Sequence, residues 1–262
     1  GSPVTQNFTG IVPFKRKHFA LGFNLVNDNI GEVKTGSLNI NFSFAYYLNI
    51  KNGRLSFGVG AGVQQYRFDG STLKTSDNSD LAFSSGNISR IAPDFNFGVF
   101  YKTNRYYLGI SSTHLNNPGR TITAYKADNP ATTARHYYFT AGYTFEVDEK
   151  FKVTPSTVNK FSESPMLSNN VVTDFSVKTE YQEMVWLGAA FRTSFKNSNA
   201  IAFFTGVNVG KINADIFKEN IKIGYAYDIP IGPLPAYNNG SHEIFISYEY
   251  APKVKRMMPK FK

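Results

Sequence analysis

Four histidines, His18, His114, His136 and His242, are the side chains of this chain best suited to metal or acid–base chemistry. No two stand at i, i+2 or i, i+4, the spacings that bring imidazoles to one face of a strand or helix, so no metal centre is expected. Ser241-His242-Glu243 sets a hydroxyl, an imidazole and a carboxylate side by side. Neighbours in an extended chain point to opposite faces, however, so the string is read as a loop edge and not as a triad. Cysteine is absent, which removes disulfides, thiolate nucleophiles and thiolate metal sites together. Gly53, Gly58, Gly60 and Gly62 invite a phosphate-loop reading, but that fingerprint needs a helix after the turn, and no helical periodicity follows. They read better as thin positions where other bulk comes close. No catalytic residue, metal or cofactor is expected.

The chemistry that remains is a second face. Asn39, Asn41 and Ser43 alternate with Leu38, Ile40, Phe42 and Phe44; Asp94 and Asn96 alternate with Phe95 and Phe97. Asp174, Lys178 and Glu180 share a face in their segment, as do Lys222 and Asp228, and Glu243 and Glu249. Period-two alternation means strands with one apolar and one polar side. In water such a sheet buries its apolar side; in a bilayer it shows that side to lipid and keeps the polar side in a lumen. A Lys or Arg aimed at lipid near the midplane costs about 2–4 kcal/mol, so on the membrane reading these polar residues face the lumen. They could conduct ions or grip a plug, or form a network that stiffens the wall. Both signs occur and no ring of one sign does, which favours the network.

Composition bears on the choice of solvent. The 262 residues include 24 Phe and 16 Tyr but 1 Trp, amounts that suit strands and interfacial aromatic girdles. Mean hydropathy is −0.28 and no run of about 18 apolar residues exists, so no transmembrane helix is expected. A barrel hides its lipid face in alternation and is not excluded. Of the net charge of +9, five cations fall in the last ten residues: Lys253, Lys255, Arg256, Lys260 and Lys262. A basic tail beyond the last strand suits an anionic surface or a protein partner better than a DNA groove, and no nucleic acid is expected.

Turn residues divide the chain into about thirteen strands, near 4–13, 18–28, 34–50, 53–67, 91–102, 105–114, 135–147, 150–160, 169–180, 184–194, 199–214, 219–229 and 241–250. Ile212–Glu219 reads as a strand end and turn, not a helix. Tight turns alternate with longer polar connections at 69–90, 115–134, 162–168 and 230–240, with 29–33 and 195–198 as short members of that set. This puts all tight turns at one end, the pattern of transmembrane barrels. Gly1-Ser2-Pro3 has no basic or apolar leader character, and barrels of one chain favour even strand numbers. A further strand ahead of Gly1 is therefore expected, giving fourteen. The expected fold is an all-β transmembrane antiparallel barrel over 1–250, followed by a basic periplasmic tail at 251–262.

Ordered strings within these strands add a family. His18–Gly31, Leu55–Tyr66, Asp94–Tyr101, Arg105–Ser111, Arg135–Tyr143, Ile221–Asp228 and Gly240–Tyr250 resemble, in order, the PorP/SprF outer-membrane proteins of the Bacteroidetes type IX secretion and gliding-motility apparatus. The resemblance implies a non-enzymatic barrel that assists or anchors secreted surface proteins bearing a type B C-terminal domain, such as gliding adhesins. Its implied partners are those proteins, other type IX components including periplasmic-ring or peptidoglycan-linked ones, and the lipid bilayer. The alternative is a porin or ligand-selective transporter. Partner contacts are expected in the extracellular loops, at Asp69, Asp77, Asp80, Asn116, Arg120 and Tyr237. In the periplasmic tail they are expected at Lys253, Lys255 and Arg256.

Overall fold

The computed structural model describes residues 2–14, 17–30, 35–69, 87–116, 134–163, 171–194, 199–212, 220–231 and 239–250. The chain forms strands β1 (Val4–Phe14), β2 (Phe19–Ile30), β3 (Thr35–Ile50), β4 (Gly53–Asp69), β5 (Asn87–Thr103), β6 (Tyr106–Thr113) and β7 (His136–Tyr143). There follow β8 (Phe145–Glu146), β9 (Phe151–Ser162), β10 (Val171–Tyr181), β11 (Val185–Ser194), β12 (Asn199–Asn208), a helical turn α1 (Val209–Ile212), β13 (Asn220–Ile231) and β14 (Ser241–Glu249). Strand order follows chain order throughout, except that β8 is a short piece pairing β9 off the main path. The pairs with a described register are antiparallel, as short connections require.

Two corrections arise. The segment expected as one strand over 199–214 ends at Asn208, where the chain turns into α1; the Asn208 amide donates to the Met184 carbonyl at 2.6 Å, tying that corner to the neighbouring turn. The segment expected over 135–147 breaks at Thr144, so the count of fourteen includes the two-residue β8.

Two compact units make up the chain, residues 1–141 with 158–171 and residues 142–157 with 172–262. In the first, register places Phe42 beside Ala61 and Ala61 beside Phe95, while Asn41 faces Gly62 and Gly62 faces Asp94. The apolar row is the exposed one. Phe42 is 63% and Val59 54% exposed, whereas Asp94 is 1% exposed and Asn41 6%. A sheet folded for water has the opposite arrangement. The second unit repeats it, with Leu187 at 65% and Ile246 at 72%.

Small residues make room on the polar side. A Cβ on Gly60 would meet the Asn41 amide, and one on Gly62 the Ile40 carbonyl. A Cβ on Gly58 would meet only the Gly98 carbonyl, at an ordinary 3.9 Å, so only two of those three glycines are thin for want of room. In the second unit Gly206 lies under Trp186 and Gly224 under Phe245, and those two rings stack at 5.9 Å.

The tight turns use local chemistry. Lys51 takes the left-handed conformation (φ 51°) in the β3–β4 turn, while Gly53 instead makes space for the Tyr101 ring. Thr103 Oγ1 accepts the amides of Arg105 and Tyr106 at 3.2 and 3.0 Å. Asp148 Oδ1 accepts those of Lys150 and Phe151 at 2.7 and 2.6 Å. Short side chains that hold two successive amides fix such turns without a helix or ladder partner.

Candidate functional site

The first unit gathers a polar cluster on the face opposite its aromatics. Asp94, from β5, binds His114 Nδ1 through Oδ1 at 2.8 Å and accepts from Asn39 Nδ2 at 3.3 Å. The His114 amide donates to Asn96 Oδ1 at 3.2 Å, and Ser43 Oγ donates to Asn41 Oδ1 at 3.1 Å. Asn39, Asn41, Asp94 and Asn96 thus come together, because β3, β4 and β5 are neighbours and Gly60 and Gly62 leave the middle strand bare. His114 completes the cluster from the end of β6, held at φ 58° so that its ring turns back onto Asp94. The His136 ring lies 5.8 Å beyond it. Among the described residues no group of three or more His, Cys, Asp or Glu could hold a metal ion.

The second unit holds an ion triad. Arg192 of β11 donates from Nε to Asp174 Oδ1 at 2.8 Å and from Nη1 to Asp228 Oδ2 at 3.0 Å. Asp174 is on adjacent β10, but Asp228 is two strands away on β13. The intervening β12 presents Ala200 opposite Arg192 and Ala202 opposite Asp228, so nothing bulky blocks the reach. Lys178 and Glu180 pair along one strand at 3.2 Å. On β13 and β14, Lys222 lies opposite Ser247 and Glu243 opposite Ala226, while Glu249 accepts from Asn220 Nδ2 at 3.5 Å.

A third cluster sits at the turn between β10 and β11. Glu183 binds Lys152 Nζ through Oε1 at 2.8 Å and Lys211 Nζ through Oε2 at 3.1 Å, the latter carried there by α1. Hydrogen bonds from these two ammonium groups hold the Glu183 carboxyl down at about 2. A depressed carboxyl adds stability above its ordinary value, and that contribution disappears as pH falls from 4.5 through about 2. The carboxylate is half exposed, so its contribution is expected to stay below about 1 kcal/mol. Glu183→Gln should lower unfolding stability slightly at pH 7 and remove that part of the acid response. Thermal melts of both proteins at pH 7 and pH 2.5 check this; equal losses on acidification would refute it.

The other sequence candidates are placed as follows. Asp69 ends β4 opposite Asn87, and Asn116 Nδ2 donates to the Pro93 carbonyl at 2.7 Å. Asp77, Asp80, Arg120 and Tyr237 of the loops, and Lys253, Lys255 and Arg256 of the tail, lie outside the described residues. His242 Nδ1 is 2.6 Å from the Tyr225 hydroxyl and its ring stacks on Tyr227, whereas Glu243 is on the other face. The residues that sequence reasoning missed are Arg192, the Lys152–Glu183–Lys211 cluster and the Asp94 partner role of His114.

Over residues 1–248 the sequence matches the family described as type IX secretion system membrane protein PorP/SprF. The chain belongs to that family. No curated protein matches it in sequence. Among solved structures it is similar to a chain titled CymD monoaromatic hydrocarbon channel, with TM-score 0.51 and 12% identity, covering 94% of this chain and 83% of that one. At that identity the likeness concerns the fold, an antiparallel sheet of the transmembrane β-barrel class. For a PorP/SprF membrane protein the exposed aromatic rows have a natural solvent, the hydrocarbon of the bilayer. No helix among the described residues is long and apolar enough to cross a membrane.

Proposed function

We propose that this PorP/SprF protein is a non-enzymatic outer-membrane scaffold of type IX secretion that assists or anchors secreted surface proteins. Its cargo would carry type B C-terminal domains, as gliding adhesins do. Its long connections would face outward as the recognition surface, and its tight turns and basic tail would face periplasmic components. The observation that carries the reading is the mixed-sign bracing of the polar face. Asp94 hydrogen-bonds His114, and Arg192 pairs with both Asp174 and Asp228, so strands one or two apart are cross-linked and these ionisable groups are spent on one another. Such bracing suits a wall that must hold loops still. Deleting the gene should leave secreted C-terminal-domain proteins missing from the cell surface. Whole-cell proteolysis and surface mass spectrometry check this; normal display of all of them would overturn it.

A second reading is supported by the fold likeness to a hydrocarbon channel. In that case the polar face would line a conducting path. Steady single-channel current from the purified protein in planar bilayers would favour the channel, and a silent bilayer the scaffold.

A further inference from the structure

The tight-turn end of the first unit carries cations without acids. Lys17 stands in the β1–β2 turn, Lys51 and Arg54 at the β3–β4 turn, and Lys102 and Arg105 at the β5–β6 turn, all exposed. From residue 8 to 23, 42 to 62 and 95 to 113 the sequence contains no Asp or Glu. The described acids of this unit, Asp28, Asp69, Asp94 and Glu163, lie in the far halves of their strands or beyond their far ends. The second unit differs, because there Lys152 and Lys211 are matched by Glu183 at its corresponding turn.

Register sharpens the contrast. Arg54 and Lys102 are direct cross-strand partners in the β4–β5 ladder. Like charges placed opposite one another destabilise a ladder, and no acid in these turns relieves them. The arrangement favours an anion supplied from outside the chain. Parity decides which kind. Arg54 and Lys102 share the polar face with Gly58, Asn96 and Gly98, and the Arg54 guanidinium lies 4.4 Å above the ring of the buried Tyr47. Lipid headgroups border the apolar face. An anionic polypeptide reaching the turn end can approach the polar one.

We propose that Lys17, Lys51, Arg54, Lys102 and Arg105 form a docking surface for an acidic segment of a protein partner. The surface carries no pocket and reads no sequence. It selects for a run of carboxylates that can span three successive turns, with Arg54 pre-oriented by its aromatic platform. This goes beyond the scaffold reading and does not depend on it. If surface display proved normal in the deletion strain but the docking held, only the secretion role would fall.

The probe is fluorescein-labelled oligoglutamate, titrated by anisotropy against the full chain in an uncharged detergent at low salt. The turn variant K17Q/K51Q/R54Q/K102Q/R105Q should bind it roughly tenfold or more weakly than the unaltered chain. The tail variant K253Q/K255Q/R256Q/K260Q/K262Q should bind within about twofold of it, since the turn surface is intact. Because Arg54 stacks on Tyr47, K51Q/K102Q/R105Q serves as a second turn variant should the larger one fail to give the folded band on a cold gel. No binding by the unaltered chain would overturn the proposal, as would equal binding by the turn variants. So would loss confined to the tail variant, or equal loss in both, the mark of net charge and not of place. A turn variant that keeps oligoglutamate but loses phosphatidylglycerol vesicles would assign the patch to the membrane and overturn it too.

Discussion

His114→Leu is expected to lower the stability of the folded protein by about 3 kcal/mol, more than any other single polar substitution considered above. Asp94 is 1% exposed, and its closest partner is His114 Nδ1 at 2.8 Å. Leucine leaves the carboxylate with the side-chain amides of Asn39, at 3.3 Å, and Asn96. Leaving a buried polar group without its hydrogen-bond partner costs about 1–3 kcal/mol, and more when that group is charged. The amide contacts that survive keep the expectation at about 3 kcal/mol. The backbone at residue 114 adds to the loss, since φ is 58° there and leucine adopts that region less readily than histidine or asparagine. Two companion variants separate these causes. His114→Asn keeps a polar side chain tolerant of the left-handed backbone and should lose about half as much. Asp94→Asn in the His114→Leu background removes the stranded charge and should recover most of the deficit. Urea unfolding in lipid vesicles, followed by the folded band on unheated gels, measures all three. A His114→Leu protein within about 0.5 kcal/mol of the parent would show that the pair carries no weight.

The strands were legible because their signal is local. In β4 the alternation of Leu55, Phe57, Val59, Ala61 and Val63 with Ser56, Gly58, Gly60 and Gly62 sets the element, its register parity and its two faces at once. The polar members Asn39, Asn41, Asp94 and Asn96 could be put on one face by the same parity, and they do share a cluster. What sequence could not show are contacts that depend on a gap or an unusual turn. Arg192 reaches Asp228 only because Ala200 and Ala202 leave β12 low between them, a property of three strands' registers taken together. His114 looked isolated among four scattered histidines, since nothing in Thr113-His114-Leu115 announces a positive φ. Lys211 was read into a strand, where it could not have met Glu183; the break at Asn208 that makes α1 is fixed by a hydrogen bond to the carbonyl of Met184, 24 positions earlier. The β3–β4 turn is a related case: Lys51 takes the left-handed conformation there, and Gly53 yields its space to Tyr101.

The exposed face supplies the second large effect. Val59→Arg is expected to cost about 2–4 kcal/mol when the protein is unfolded from a bilayer. Val59 lies near the middle of β4, opposite Phe44 on one side and Phe97 on the other, and is 54% exposed. On a protein surface in water such a substitution changes stability by no more than about 0.5 kcal/mol. The size of the loss therefore reports which solvent touches the residue, something that exposure alone does not reveal. Depth provides an internal control. Leu55→Arg, two residues in from the turn, should cost only about 0–1 kcal/mol, because a guanidinium there reaches the interface. Gly58→Ser, adjacent to Val59 but on the polar face, where an added Cβ meets only the Gly98 carbonyl at an ordinary 3.9 Å, should be close to neutral. A gradient from Leu55 to Val59 with no penalty at Gly58 is the signature of strands spanning hydrocarbon. Equal small effects at all three positions would mean that the aromatic rows meet water, and the membrane-spanning assignment of this sheet would have to be abandoned.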